Sequence, residues 1–219
     1  DFVHSGFNAV ADFLAQKVNI SAETIFHFLW KSFEQGARGN TFNLLFQQFP
    51  ACAYAATVED LIKIYREHYP SIQINLAMRD FILCLKNNNY FLGSITDGSH
   101  LSQSRKVDAL GIKHIFDEIV ITDAWGKQFW KPHPRAFEFI EKKSGLSPEE
   151  LVFIGDNPKK DFITPKHRGW FTIRLLLQGQ LRYYETCIQE NEQPHIAVNS
   201  IEELNDVWKS ICQNPNHHI

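Results

Sequence analysis

Two carboxylates stand five residues apart after a short apolar segment. Asp156 and Asp161 follow residues 151–154, and Gly155 ends that segment. Hard carboxylate oxygens suit Mg²⁺, and a helix N-terminus directly after a strand favours bound anions. We therefore interpret this stretch as a candidate metal site beside a phosphate. The alternative interpretation is a helix N-cap followed by a solvated surface carboxylate.

An upstream loop adds a cation. Lys131 stands between Trp130 and Pro132, which gives the loop a stiff and partly apolar character. A lysine ammonium is a compact point charge that neutralises phosphoryl or carboxylate oxygens when it is held in place. We take Lys131 as a candidate charge-stabilising residue, and an ordinary surface lysine is the alternative.

A third loop follows the apolar residues 90–95. It consists of Thr96, Asp97 and Gly98, and the glycine lets the backbone approach a ligand closely. The threonine hydroxyl and the amide groups of this loop are able to hold phosphate oxygens. We therefore predict that these three residues and Lys131 bind the substrate, although a simple turn at the start of the next helix would use the same residue types.

The elements that must position these loops change in character along the chain. Apolar residues recur with helical spacing from residue 4 to about residue 70, which predicts an all-helical domain over 1–71. Over 72–219 strands alternate with helices. The strands are predicted at 90–95, 118–122, 151–154 and 171–177. The helices are predicted at 73–86, 99–110, 134–143, 159–168 and 200–211.

That alternation is typical of an α/β fold with a doubly wound parallel sheet. In such sheets the ligand binds beyond the carboxyl ends of the strands. All three candidate loops follow predicted strands. They are therefore expected to converge on one edge of the sheet.

The composition of the chain argues against several classes of protein. The 219 residues carry 22 Lys and Arg against 25 Asp and Glu, a net charge of −3, which argues against a nucleic-acid partner. The four cysteines form no Cys-x-x-Cys pair, and Cys52 and Cys84 lie in apolar helical contexts that predict buried thiols, so we expect a reducing cytoplasm. We expect neither export nor membrane anchoring, since no apolar stretch approaches about 20 residues.

The three loops together resemble a known family. The motifs are Ile95-Thr96-Asp97-Gly98, Trp130-Lys131-Pro132-His133-Pro134 and Gly155-Asp156-Asn157-Pro158-Lys159-Lys160-Asp161. In order and spacing they look like the second, third and fourth motifs of the haloacid dehalogenase-like (HAD) hydrolases. The helical residues ahead of the sheet resemble the subgroup with an α-helical cap. The resemblance covers residues from about 1 to 207.

The resemblance implies a role for each candidate residue. Thr96 would bind the phosphoryl group, and Lys131 would hold the phosphate beside an aspartate nucleophile. Asp156 would bind Mg²⁺, and Asp161 would support the metal shell or Lys131. The Gly-Asp pair favours a metal-dependent phosphatase over a metal-free dehalogenase, with a small phosphorylated metabolite as substrate. The oligomeric state stays open.

The chain departs from the family pattern at its beginning. The family's first motif is an Asp-x-Asp at the end of the first core strand, and the opening residues 1–6 resemble the stretch directly after it. Either the intact parent protein supplies that strand, or the protein lacks it and acts as a catalytically inactive binding or regulatory domain. The first account is favoured, because the missing strand would lie in the middle of the sheet and its loss would expose two strand edges.

Overall fold

The computed structural model describes residues 1–186 and 189–213. Contacts divide the chain into two compact units. One contains Asp1–Gln73 with Leu101–Gly111, and the other contains Ile74–His100 with the described residues from Ile112 onward. Cys187 and the C-terminal histidines, whose origin the sequence leaves open, lie outside the described residues. Over the described chain, no helix combines the length and the apolar character needed to cross a bilayer.

Residues Asp1–Gln73 of the first unit are built of helices, and Leu101–Gly111 adds most of one more. The helices of Asp1–Gln73 are α1 (Phe2–Ala15), α2 (Ala22–Glu34), α3 (Thr41–Gln48), α4 (Pro50–Ala55) and α5 (Val58–Glu67). Ser21 begins α2 by accepting a hydrogen bond from the Thr24 amide, and Thr57 begins α5 through a reciprocal capping box with Asp60. A cluster of fully buried side chains, including Leu29, holds these helices together.

The rest of the described chain alternates helices with strands. In order they are α6 (Leu76–Asn87), β1 (Gly93–Thr96), α7 (His100–Leu110), β2 (Glu118–Ile121), α8 (Arg135–Ser144), β3 (Val152–Gly155), α9 (Ile163–Arg168), β4 (Phe171–Leu175), β5 (Ile196–Val198) and α10 (Ile201–Gln213). Every strand pair is parallel. The predicted α/β class with parallel strands is confirmed.

The strands form two sheets among the described residues. One has the order β1-β2 and the other β3-β4-β5. Thr96 pairs with Ile121 in the first sheet, and Gly155 pairs with Arg174 in the second. Within the described chain, β1 therefore pairs with a strand on one side only, and so does β3.

Two apolar clusters cover opposite faces of the second sheet. Ile154 and Ile173 join a cluster with α6 and α10, whereas Phe153 packs with Phe137 of α8 and with Trp170. Successive side chains of a strand point to opposite faces, so the alternation along β3 places a helix layer on each side. This is the three-layer arrangement of a doubly wound fold.

Several boundaries differ from the sequence predictions. The strand predicted at 90–95 begins only at Gly93, because the Leu92 amide donates to the Asp117 carboxylate. The helix predicted from residue 159 begins at Ile163, after a turn. The strand β5 was not predicted, since it is three residues long and mostly exposed. Cys52 is buried as expected, but Cys84 is exposed, so the prediction for Cys84 was wrong.

A polar cluster fastens α8 to the residues around the end of α9. The Glu141 carboxylate accepts hydrogen bonds from Arg168 Nε at 2.8 Å and from Trp170 Nε1 at 2.7 Å. The Arg168 guanidinium and the Trp170 hydrogen bond hold the pKa of Glu141 below its usual 4.5, against the opposing effect of burial. This carboxylate is 15% exposed, whereas that of Glu138, which contacts the same arginine, is 53% exposed.

Replacing Glu141 by glutamine should lower the free energy of unfolding at neutral pH by about 1–3 kcal/mol, the usual range for hydrogen bonds to a charged group. Because the folded-state pKa is lowered, the stabilisation is present above pH 4.5 and is lost as the pH falls through the folded pKa. Denaturant unfolding of both proteins across that pH range measures the difference. Glu138→Gln is the matched control and should change stability by less than about 1 kcal/mol. An equal effect of both substitutions would contradict this account.

Candidate active site

A buried ion pair links two of the predicted loops. Lys131 Nζ lies 2.8 Å from Asp161 Oδ1, and the two side chains are only 9% and 4% exposed. The other oxygen, Asp161 Oδ2, accepts from the backbone amides of Asp156 at 3.2 Å and Asn157 at 2.9 Å. The Asp161 carboxylate therefore folds the turn after β3 around itself and holds Lys131 against it.

Glycine is required where this turn leaves the strand. A Cβ atom at Gly155 would lie 2.7 Å from Asp161 Oδ2 and 3.0 Å from the Phe153 ring. Both neighbours are fixed, because the carboxylate is bound to two amides and the ring is packed in the core. The Gly-Asp sequence thus has a steric reason in addition to its chemical one.

Lys131 also reaches the first sheet. Its Nζ donates to the carbonyl oxygen of Ile95 in β1 at 3.2 Å. The carbonyl of the next residue, Thr96, accepts from the hydroxyl of Thr122, which follows β2. Because consecutive carbonyls of a strand point to opposite edges, the Ile95 carbonyl lies on the edge of β1 that faces away from β2. A lysine side chain therefore satisfies a strand carbonyl there.

Asp97 is the second buried carboxylate at this edge. It accepts from the Thr122 hydroxyl at 2.8 Å, from the Lys131 amide at 3.1 Å and from Lys160 Nζ at 2.6 Å. Its side chain is 2% exposed. These contacts brace the Lys131 loop, so any contribution of Asp97 to phosphate binding would come from its backbone amide and stays a prediction.

The remaining residues of the first loop occupy the positions expected from the sequence. Thr96 is the last residue of β1 and is half-buried. Gly98 has φ +127°, a conformation that L side chains rarely adopt. Asp123 then fixes the following turn by accepting from the His100 amide at 2.9 Å. The loop is therefore held on both sides.

Asp156 is half-buried, and its surroundings disfavour the charged form of its carboxyl group. Burial and the neighbouring Asp161 carboxylate raise its pKa, and the charges of Arg182 and Lys131 act in the opposite direction. A bound divalent cation would remove this penalty, and Mg²⁺ is normally held by one or two carboxylates together with phosphate and water oxygens. Among the described residues, no group of three or more His, Cys, Asp or Glu side chains is placed to hold a metal. Asp156 therefore fits as a single carboxylate ligand of such an ion.

Comparison with known proteins agrees with this arrangement. The sequence profile of the haloacid dehalogenase-like hydrolases matches residues 10–174. The chain belongs to this family. The matched region contains the candidate residues that follow β1 and β3 and the Lys131 loop, so the resemblance seen in the three motifs is confirmed.

Individual relatives among the HAD-like hydrolases match only part of the chain. A glyceraldehyde 3-phosphate phosphatase of Methanocaldococcus jannaschii is 35% identical over 127 residues, which cover 58% of this chain and 53% of that protein. A phosphoserine phosphatase of Thermus thermophilus is 32% identical over 81 residues, 37% of this chain and 32% of that protein. The chain thus spans about half the length of the first of these curated relatives and about a third of the second.

A solved structure shares the fold. A magnesium-bound HAD hydrolase of Bacillus subtilis superposes with a TM-score of 0.58 at 17% identity, and the superposition covers 92% of this chain and 90% of that one. At this identity the likeness shows the fold alone. The HAD-like Rossmannoid fold predicted from the sequence is confirmed.

Sequence reasoning missed three contributors to this HAD-like site. Lys160 stands inside the fourth motif, but only the structure shows its ion pair with Asp97. Thr122 ends the β2 segment, and its hydroxyl bridges Thr96 and Asp97. Arg182 lies in a stretch without periodicity, where the sequence offers no signal.

Replacing Asp156 by asparagine should have two opposite effects. Without Mg²⁺ the variant should unfold at a higher temperature, because the raised pKa means that the folded state disfavours the charged carboxylate at neutral pH. With Mg²⁺ at about 100 times its Kd, the unchanged protein should gain about 2.7 kcal/mol and the variant much less. Thermal unfolding with and without Mg²⁺ measures both effects.

Asp206→Asn provides the control, since that carboxylate is 78% exposed. This variant should keep the Mg²⁺ response of the unchanged protein. A full Mg²⁺ response in Asp156→Asn would remove Asp156 from the proposed metal shell.

Proposed function

We propose that the intact parent protein is an Mg²⁺-dependent phosphatase that acts on a small phosphomonoester through an aspartyl-phosphate intermediate. The observation that carries the proposal is that Lys131 joins the ends of β1 and β3. Its ammonium contacts the carbonyl of Ile95, the residue before Thr96, and the carboxylate of Asp161, which also accepts from the Asp156 amide. The phosphatase names of the two relatives support it. Because those names differ in substrate, the phosphomonoester itself stays open.

Each residue has a proposed task that follows from its surroundings. The Thr96 hydroxyl and the amides of the β1 loop donate to phosphoryl oxygens. Lys131, held by the Asp161 carboxylate, offsets the negative charge that develops during transfer. Asp156 supplies a metal ligand, and Mg²⁺ when bound would polarise the phosphoryl group and orient it. Asp161 acts through Lys131 and the turn that it organises.

The nucleophile is proposed to come from a strand outside the given sequence. Lys131 contacts the Ile95 carbonyl on the edge of β1 that lacks a strand partner in the described chain, and it contacts Asp161 in the turn after β3, a strand that also has one unpartnered edge there. A strand placed between β1 and β3 would pair with both and deliver its last side chain to the same edge of the sheet. An aspartate there would attack phosphorus and displace the alcohol, which leaves an aspartyl phosphate. Water would then hydrolyse that intermediate, releasing inorganic phosphate and regenerating the carboxylate, so that one difficult displacement is divided into two easier steps.

The helical unit has a proposed role in selecting the substrate. Residues 1–71 would form an α-helical cap, with 72–219 as the α/β core. The supporting observation is that Asp1–Gln73 belongs to a different compact unit from most of 72–219. Leu101–Gly111 is the part of 72–219 that falls in the same unit as Asp1–Gln73. Caps of this kind exclude water from the reaction. We further propose a cytoplasmic location, supported by the free thiols of Cys52, Cys84 and Cys212.

The rival function is a catalytically inactive binding or regulatory domain. It is favoured by one observation, that no Asp-x-Asp motif follows a strand in the given sequence. The two functions are separated by release of inorganic phosphate from p-nitrophenyl phosphate, measured on the intact parent protein with Mg²⁺ and with EDTA. Turnover that requires Mg²⁺ supports the phosphatase. Binding of inorganic phosphate without any turnover supports the rival.

Replacing Lys131 by alanine should reduce kcat of the intact parent protein by at least about 100-fold, the usual loss for one preorganised electrostatic group. The variant should also be less stable by about 3–5 kcal/mol, because Asp161 is left as an unpaired buried charge. Rates are therefore compared at a temperature at which circular dichroism shows the variant to be folded. Lys142→Ala, an exposed lysine on α8, should leave kcat unchanged. A loss below about tenfold would assign Lys131 a purely structural role.

A further inference from the structure

The segment after β4 is anchored next to the candidate metal ligand. Arg174 lies in β4 directly opposite Gly155 of β3, so it neighbours the strand end that precedes Asp156. Its side chain is buried, and its Nη2 donates to the carbonyl oxygens of Arg182 at 3.1 Å and Glu185 at 2.6 Å. A buried arginine thus fixes the backbone of residues 182–185 above the end of the sheet.

The anchored turn presents a second arginine. The Nη1 atom of Arg182 donates to both carboxylate oxygens of Glu185, at 2.8 and 3.0 Å. The Arg182 side chain is 39% exposed, and the neighbouring Tyr184 is 90% exposed, so the turn is open to solvent. Arg182 is also close enough to Asp156 for its charge to act on that carboxylate. Its cation is therefore accessible, and its backbone is anchored to the residue of β4 that pairs with the end of β3.

Two lysines of the candidate site are each paired with a buried carboxylate. Lys131 pairs with the buried Asp161, and Lys160 pairs with the buried Asp97. The guanidinium of Arg182 carries five N–H donors, and both contacts to Glu185 are made from Nη1. Such a planar group is well suited to bind a carboxylate or a phosphate through two parallel hydrogen bonds.

We infer that Arg182 is a specificity-determining residue that binds a second anionic group, carried on the alcohol portion of the phosphomonoester. This inference rests on the proposed phosphatase function. It names the substrate class as phosphomonoesters with a further negative charge, such as a carboxylate or another phosphate. Glu185 acts as the positioning residue, because its carboxylate holds the Arg182 guanidinium in place.

Calorimetric titration of the intact parent protein without Mg²⁺ tests the inference, because binding is then measured without turnover. The probes are 2-phosphoglycolate, which adds a carboxylate, propane-1,3-diol bisphosphate, which adds a phosphate, and glycerol 3-phosphate, which adds neither. Arg182→Gln should weaken the binding of 2-phosphoglycolate, of propane-1,3-diol bisphosphate or of both by at least about tenfold, as expected for the loss of a charge-assisted hydrogen bond. Glycerol 3-phosphate should change by less than about twofold. The probe that loses affinity identifies the second anion.

Two further variants keep the outcome clear. Arg182→Lys retains the charge and should recover part of the affinity, whereas Tyr184→Ala alters an exposed neighbour and should change none of the affinities. An equal loss for all three probes, or no loss for any, would overturn the inference. Absence of phosphate release with Mg²⁺ would refute the phosphatase function instead, and the binding pattern would still judge Arg182.

Discussion

The buried ion pair of Lys131 and Asp161 is the interaction on which the candidate site depends. Removing two charges from water is expensive, and their attraction compensates only when further hydrogen bonds satisfy both groups. Here the carboxylate also accepts two backbone amides, and the ammonium also donates to the Ile95 carbonyl. One pair thereby connects β1, the loop before α8 and the turn after β3, which are far apart in sequence.

The charges around this pair are unevenly compensated. Asp161 and Asp97 each have a lysine partner, and both are almost completely buried. Asp156 has a raised pKa because burial and Asp161 oppose its charge. The fold therefore keeps one carboxylate in an unfavourable electrostatic state, which is the arrangement expected where a cation is to be held.

Local sequence patterns predicted the parts of this molecule that depend on local physics. Thr96 and Asp156 were identifiable because they follow apolar segments, and parallel strands bring such positions to a common edge. Lys131 was identifiable because Trp130 and Pro132 flank it. The pairing of Lys160 with Asp97 spans 63 residues and leaves no mark in either motif. The short strand β5 was missed for a related reason. Its three residues are too few to show an alternating apolar pattern, and only the structure shows that they pair with β4.

The bond from Lys131 to the Ile95 carbonyl has a consequence for assembly. A further strand pairing with that edge of β1 would offer its own amide to the carbonyl and would release the ammonium from it. In a sheet without that strand, the lysine stays bound to its own backbone. Strand pairing at this edge therefore decides which partners the Lys131 ammonium has.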